Sequence, residues 1–350
     1  MLKALKIISV PLVPIYFLII YLRNLFFDIE WFKAKKVDAL VISVGNISVG
    51  GSGKTPAVLY IAGLLKDMGK KVGILSRGYQ RETRGYLLVS DGNELKCTVH
   101  QCGDEIYLTA KELKVPAAVA ERRVEGAKRL IADTQVEYIV LDDAFQHRWI
   151  HRDLDIVMID QRFMLKEKSM DKLLLPSGVL RESFSALKRA DAVIINSKFS
   201  QKELIPPKYE PYLNNLSLFR GKYECTGVHD VKTGKVYSMK EFQGQKSLVV
   251  CGIARPFSFL QLLEQNEIDF TNKLLFPDHK EYAMHEIQKI RKKFYDTNAY
   301  SVLTTQKDAV KLANYSVELD DIDIYYAKID LVIENKDEFL QLINKKIENY

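Results

Sequence analysis

The 350-residue sequence is poor in cysteine, tryptophan and histidine, with four, two and six of each. The four thiols, Cys97, Cys102, Cys225 and Cys251, are too few and too scattered for a disulfide framework in a chain this long. That excludes the small stapled secreted class and fits reduced thiols in a cytoplasmic protein. His100 lies between Cys97 and Cys102, but "CTVHQC" matches no familiar zinc spacing. There is no block of five or six like charges. Lys and Arg number 51 against 45 Asp and Glu, a net charge of only +6. Such a mild basic surplus suits an anionic small ligand or an anionic membrane surface; nucleic-acid binding is not expected. Repeats and low-complexity tracts are also missing. The remainder, 47% hydrophobic and 27% charged, is ordinary globular composition, at a length that suggests about two domains.

One long charge-free run stands out, "IISVPLVPIYFLIIYL" from Ile7 to Leu22. As a helix its 16 residues would span about 24 Å, short of the roughly 30 Å hydrocarbon core. Pro11 and Pro14 would break or kink it early. The bulky, charged "YLRNLFFDIEWF" that follows offers no small-residue cleavage site, so a signal peptide is not expected. Tyr16, Tyr21, Phe26, Phe27 and Trp31 with Arg23, Lys33, Lys35 and Lys36 make an aromatic and basic flank suited to a membrane interface. A helix buried in the protein's own core is the alternative.

From Leu40 onward short apolar runs alternate with helical spacing. "ALVISVG", "KVGILSRG", "EYIVLDDAFQ", "LDIVMID" and "DAVIINS" read as strands ending in polar residues or turns, with "AVLYIAGLLKDMG" as a helix between the first two. This pattern predicts a doubly wound, mostly parallel α/β sheet, whose ligand sits beyond the carboxyl ends of the strands. "FRGKYECTGVHDVKTGKVYS" alternates like a β-hairpin turning at "KTG". A second, smaller α/β unit follows. We therefore expect a membrane-associating helix over 1–30, a nucleotide-binding domain over 31–220, a two-stranded linker over 221–238 and a C-terminal lobe over 239–350. The amphipathic terminal helix has the option of packing back on the first domain.

The stretch "SVGNISVGGSGKTP" carries the chemistry. Ser48, Val49, Gly50, Gly51, Ser52, Gly53, Lys54 and Thr55 lie between a strand and a helix, as a phosphate-cradling loop requires. The glycines let backbone amides approach phosphate, Lys54 reaches the β- and γ-phosphates, and Thr55 is placed to ligate Mg²⁺. Ser48 replaces the first glycine of the strict pattern, while Pro56 sits where a helix tolerates a missing N–H. "VEYIVLDDAF" ends in Asp142 and Asp143, the carboxylates that a strand tip would aim at the same Mg²⁺. Two classes remain: a small-molecule or lipid kinase, and a dimeric switch ATPase. The latter's extra signature lysine would occupy position 49, which is valine here.

The ordered motifs "VGNISVGGSGKTP", "LSRGYQR", "CGDE", "LDDAFQHRWIHRDLDI", "LPSGVLRES", "CGIARP", "FPDH" and "TTQKDAVK" closely resemble the tetraacyldisaccharide 4′-kinase family, the lipid A kinases of Gram-negative bacteria. The resemblance runs from the apolar N-terminal segment to about Lys311. It implies two α/β lobes joined by a two-stranded linker, and ATP with Mg²⁺ as cofactors. The acceptor it implies is the 4′-hydroxyl of a tetraacylated glucosamine disaccharide 1-phosphate. It also implies a peripheral or monotopic position on the cytoplasmic face of the inner membrane; no obligate protein partner is indicated. On this resemblance Asp104 is the catalytic aspartate, His279 the histidine paired with it, and Arg181 an arginine near the reacting phosphates. A carboxylate that accepts the sugar hydroxyl's proton makes chemical sense of the first, and a histidine that orients it of the second. Arg77, Arg123, His147 and Glu182 fall in matching motifs as candidate substrate residues; surface or structural ion pairing is the alternative for the two arginines. Ala144 and Gln80 stand where the family usually has glycine. If the backbone at Ala144 needs a positive φ, its methyl would add modest strain.

Overall fold

The computed structural model describes residues 6–165, 170–253, 256–278 and 280–350. The chain divides into two compact units, one of Met1–Lys222 with Ile333–Tyr350, the other of Tyr223–Val332.

In the first unit the apolar runs become strands β1 (Leu40–Gly45), β2 (Val72–Ser76), β3 (Leu87–Asp91), β4 (Pro116–Val119), β5 (Tyr138–Asp142), β6 (Leu154–Asp160), β7 (Ala192–Lys198) and β8 (Ser217–Asp230). They lie in the order β8-β7-β6-β1-β5-β2-β4-β3. Every neighbouring pair is parallel except β3 with β4 at the edge. Every residue of β1, β2, β6 and β7 is buried, which is why these strands read as continuous apolar runs rather than as alternations. The chain leaves β1, passes over β5 and returns as β2. The carboxyl end of β1 therefore lies between the ends of β5 and β6, at the switch point where doubly wound sheets bind ligands.

The helices that matter for the site are α1 (Val13–Asp28), α2 (Lys54–Asp67), α3 (Asp104–Leu113) and α4 (Arg123–Thr134). Ala127 and Leu130 of α4 pack with Val41, Leu75, Ile139 and Leu141 of the sheet. The prolines interrupt the N-terminal run early: its regular α-helix starts only at Val13. Pro11 falls in a 3₁₀ turn, Val10–Leu12, and Pro14 in the first turn of α1, where a missing N–H is harmless. Val10–Asp28 is 19 residues with a mean hydropathy of 1.8, and by length and composition it is enough to cross a membrane. It is a surface helix of this unit, with Ile15, Leu18 and Ile19 all more than half exposed.

The second unit carries β9 (Val236–Tyr237), β10 (Ser247–Cys251), β11 (Lys273–Leu275), β12 (Ser301–Thr305) and β13 (Ile324–Ile333). The order β11-β10-β12-β13 is parallel throughout. The far end of β8 pairs antiparallel with β9, across a turn in which the Asp230 carboxylate accepts from the amides of Lys232 and Thr233. The chain passes between the units within β8 and returns within β13. Residues 333–350 belong to the first unit, so the terminal helix packs back on it. The reason is apolar: Phe339 of α5 (Lys336–Glu348) is fully buried, 5.1 Å from the Phe219 ring and 6.0 Å from Tyr60.

Candidate active site

The loop after β1 ends at Gly53, which caps α2 at φ 99°; Gly50 has φ 100°. Both angles favour glycine. A side chain at Gly51 would meet nothing within 4 Å, so the loop is open on that side. Gly45 is closed instead: a Cβ there would lie 2.5 Å from that of Phe145. Lys54 and Thr55 open the helix, where amides without intrahelical partners and the helix dipole favour an anion. Ser48 and Val49 have a different task. The Val49 amide donates to Val179 O at 2.7 Å, and Ser48 bridges Leu180. The Val49 amide is thereby engaged in anchoring the loop to the segment at 179–180.

The parallel register sets Asp142 beside Val44, at the tip of the neighbouring strand. Ser76 Oγ donates to Asp142 Oδ2 at 3.0 Å; Oδ1 is buried and has no hydrogen-bond partner among the described residues. Burial, then the charges of Glu105 and Asp143, push the Asp142 carboxyl up to about 7, against the opposing pull of Lys54 and Ser76. Asp143 behaves oppositely. Burial alone would raise it, but Lys54 and Arg181 hold its carboxyl below the ordinary range. Its Oδ1 accepts from Arg181 Nη1 at 2.7 Å and lies 3.5 Å from Lys54 Nζ. The two cations expected at the phosphates therefore converge on one oxygen beside the loop.

These residues fit Mg²⁺-nucleotide. A buried carboxylate oxygen without a partner calls for a cation, and the open loop at a helix N-terminus calls for phosphate. Among the described residues no cluster of three His, Cys, Asp or Glu side chains could hold a metal alone.

The left-handed backbone in this region is at Asp143, φ 51°, not at Ala144. Ala144 is fully buried and carries no such strain. Gln80 does adopt φ 57°, a conformation glycine would take more cheaply.

Asp104 is the first residue of α3 and is buried, directly after Gly103 at φ 96°. A side chain at Gly103 would meet Tyr79 O at 2.9 Å, so this entry into the helix needs glycine. His279 lies outside the described residues.

Arg123 is buried, donating to Ala120 O and, at 3.4 Å, to Asp142 O. Burial pulls its guanidinium down to about 10, partly offset by Asp142 and Asp143. It braces the backbone of the acidic pair, a supporting role. His147 is held neutral: burial first, then Arg123, Arg152 and Arg77, depress it to about 4. Arg77 is exposed at the end of β2. Glu182 is 1% exposed and accepts from Arg23, Asn24 and Arg189 at 3.0, 3.0 and 2.8 Å. Its buried, fully engaged carboxylate does not present itself to substrate.

Sequence reading missed a set of residues that hold the loop. Lys198 Nζ donates to Gly51 O at 2.6 Å and to Asp160 Oδ2 at 2.8 Å, with both side chains almost fully buried. Asn196 Nδ2 reaches Ser52 O at 3.4 Å, and Asn46 Nδ2 reaches Ser52 Oγ at 2.9 Å. Gln146 donates to Asn46 O at 2.8 Å and accepts from Arg181 at 3.4 Å. Asp160 and Asn196 stand side by side in register at the ends of β6 and β7. The only sequence signal was that these apolar strands end in polar residues.

The family model described as tetraacyldisaccharide-1-P 4′-kinase matches residues 5–348. The tetraacyldisaccharide 4′-kinase of Halothermothrix orenii is 35% identical over 354 aligned residues, 95% of this chain and 90% of that one. The Aquifex aeolicus enzyme of that name is 34% identical over 334, covering 95% and 96%. A crystal structure of the Aquifex aeolicus protein in complex with ATP superposes with a TM-score of 0.78 at 31% identity, over 98% of this chain and 99% of that one. The chain belongs to the tetraacyldisaccharide-1-P 4′-kinase family.

Proposed function

We propose that this protein transfers the γ-phosphoryl group of Mg²⁺-ATP to the 4′-hydroxyl of a tetraacylated glucosamine disaccharide 1-phosphate. The observation that carries the reading is the convergence of Lys54 and Arg181 on Asp143, next to the partnerless oxygen of Asp142 and the open glycine loop. Amides of the loop from Gly50 to Thr55 would bind the β- and γ-phosphates, and Lys54 would lie along them. Thr55 and Asp142 would hold the metal, with Asp143 nearby. Bound Mg²⁺ supplies charge neutralisation on the phosphates. Arg181 is within reach to follow charge onto the transferring group, releasing Asp143 as it does so. Asp104 accepts the proton of the sugar hydroxyl as its oxygen bonds to phosphorus and the bond to the ADP oxygen breaks. On the family resemblance, His279 would be the histidine that orients that carboxylate.

The exposed apolar face of α1 and the following Trp31, Lys33, Lys35 and Lys36 support a peripheral position on an anionic bilayer, at the cytoplasmic face where ATP is found. The test is incubation with γ-labelled ATP and the tetraacyl disaccharide 1-phosphate, followed by mass analysis of the lipid. One added phosphate at the 4′ position is expected. Label released only as inorganic phosphate would reject the reading.

A further inference from the structure

Three polar residues mark the apolar N-terminal helical stretch at seven-residue intervals: Ser9, Tyr16 and Arg23. Seven residues are close to two helical turns, so Tyr16 and Arg23 share one face of α1, while Ser9 precedes the 3₁₀ turn before it. Each reaches the same short segment. Ser9 Oγ lies 2.9 Å from Ser177 Oγ, Tyr16 OH donates to Arg181 O at 3.1 Å, and Arg23 donates to Glu182 at 3.0 Å. Asn24 adds a second bond to Glu182, at 3.0 Å, and Lys6 pairs with Asp171 at 2.8 Å.

The other side of this segment is stitched to the phosphate loop. Val49 N donates to Val179 O at 2.7 Å and Arg181 N to Ile47 O at 2.8 Å. Gly178 keeps the segment tight, since a Cβ there would lie 1.8 Å from Leu173 O. The strap therefore has α1 on one flank and the loop on the other, and from it the Arg181 guanidinium extends to Asp143. An apolar face alone is enough to hold a helix on lipid. Buried charge-assisted bonds to Glu182 add nothing to that task, and they fix the residue next to Arg181.

We infer that α1 positions Arg181 through Glu182 and through the Arg181 carbonyl, so that the helix seating the chain on lipid also sets the geometry of phosphoryl transfer. Glu182 and Tyr16 are positioning residues in this scheme, which rests on the kinase reading above.

The test uses the full chain in mixed micelles with ATP and saturating tetraacyl disaccharide 1-phosphate. Vesicle cosedimentation on phosphatidylglycerol and Tm are measured alongside. Tyr16→Phe removes one hydroxyl and should lower kcat about threefold to tenfold; Glu182→Gln should lower it about thirtyfold or more. KM for the lipid and vesicle binding should stay within about twofold, because the apolar face is untouched. In an Arg181→Ala background neither substitution should cost more than about twofold further, since residues acting as one unit are non-additive. Two results overturn the inference: losses that multiply with Arg181→Ala, or an unchanged kcat, whether vesicle binding is kept or lost. Should Glu182→Gln fail to fold, Tyr16→Phe alone decides. Failure of the kinase reading shows separately, as no lipid phosphorylation by the wild type.

Discussion

Ser76 Oγ donates to Asp142 Oδ2 at 3.0 Å, while the other carboxylate oxygen, Oδ1, is a buried acceptor with no partner among the described residues. The pair joins the tips of β2 and β5 on the side where the loop after β1 opens. A carboxylate arranged in this way is costly to the fold and useful to a cation.

That cost is readable against pH. In the folded chain Asp142 titrates near 7, against about 3.9 when unfolded. Between these values the folded state keeps a proton that the unfolded state has lost, so stability should fall as pH rises from 4 to 7 and level off above. Asp142→Asn should remove this slope. In Mg²⁺-free buffer its Tm should exceed that of the wild type at pH 8 by several degrees and converge with it near pH 4. The same variant should lose nearly all Mg²⁺-dependent turnover. Parallel Tm profiles for the two proteins would refute the assignment.

Lys54 and Arg181 share Asp143 Oδ1, so their effects should be linked. Lys54→Ala should lower kcat by about a thousandfold, and Arg181→Ala by about a hundredfold. Both losses should be in turnover more than in KM for ATP. Steady-state kinetics of the two variants check this; an Arg181 variant with normal kcat would place that guanidinium away from the transferring phosphate.

Lys198 bridges Gly51 O and Asp160 while almost fully buried, so Lys198→Met should leave a carboxylate and a loop carbonyl poorly satisfied. A loss of about 3–5 kcal/mol in unfolding free energy is expected from breaking such a pair. Asp160→Asn combined with Lys198→Met should recover much of it. ATP affinity should remain weakened in the double variant, because the brace on Gly51 is still gone. Denaturant titration and nucleotide binding measure the two effects separately.

For the proposed dyad, Asp104→Ala should lose most of kcat with ATP affinity nearly unchanged, since the carboxylate acts on the acceptor. His279→Ala should lose less, and the double variant should be little worse than Asp104→Ala. Single-turnover transfer by the four proteins supplies the cycle; multiplicative losses would mean that the two residues act independently.

Much of this molecule is written locally. The strand before Gly45, the glycine loop and the helix from Lys54 follow from apolar runs, positive-φ glycines and a helix start within a few residues of one another. The acidic strand end at Asp142 and Asp143 follows in the same way, and so does an apolar helix near the N-terminus, although its exposure does not. Such features depend on backbone sterics and on hydrophobic period, and both act over short stretches of chain.

What tertiary structure alone decided depends on which strand tips become neighbours. The order β6-β1-β5-β2 brings Ser76 to Asp142, and the register of β6 with β7 sets Asp160 beside Asn196, below the loop that Lys198 holds. Residues 76 and 142, or 51 and 198, carry no mutual signal along the chain. Burial then changed meanings that a motif leaves open. Arg123 and Glu182 became internal struts, His147 a neutral imidazole, and Val49 an anchor. A side chain's chemistry is set by its type, but whether it faces solvent, substrate or another buried charge is set by desolvation and packing, and those exist only once distant segments have met.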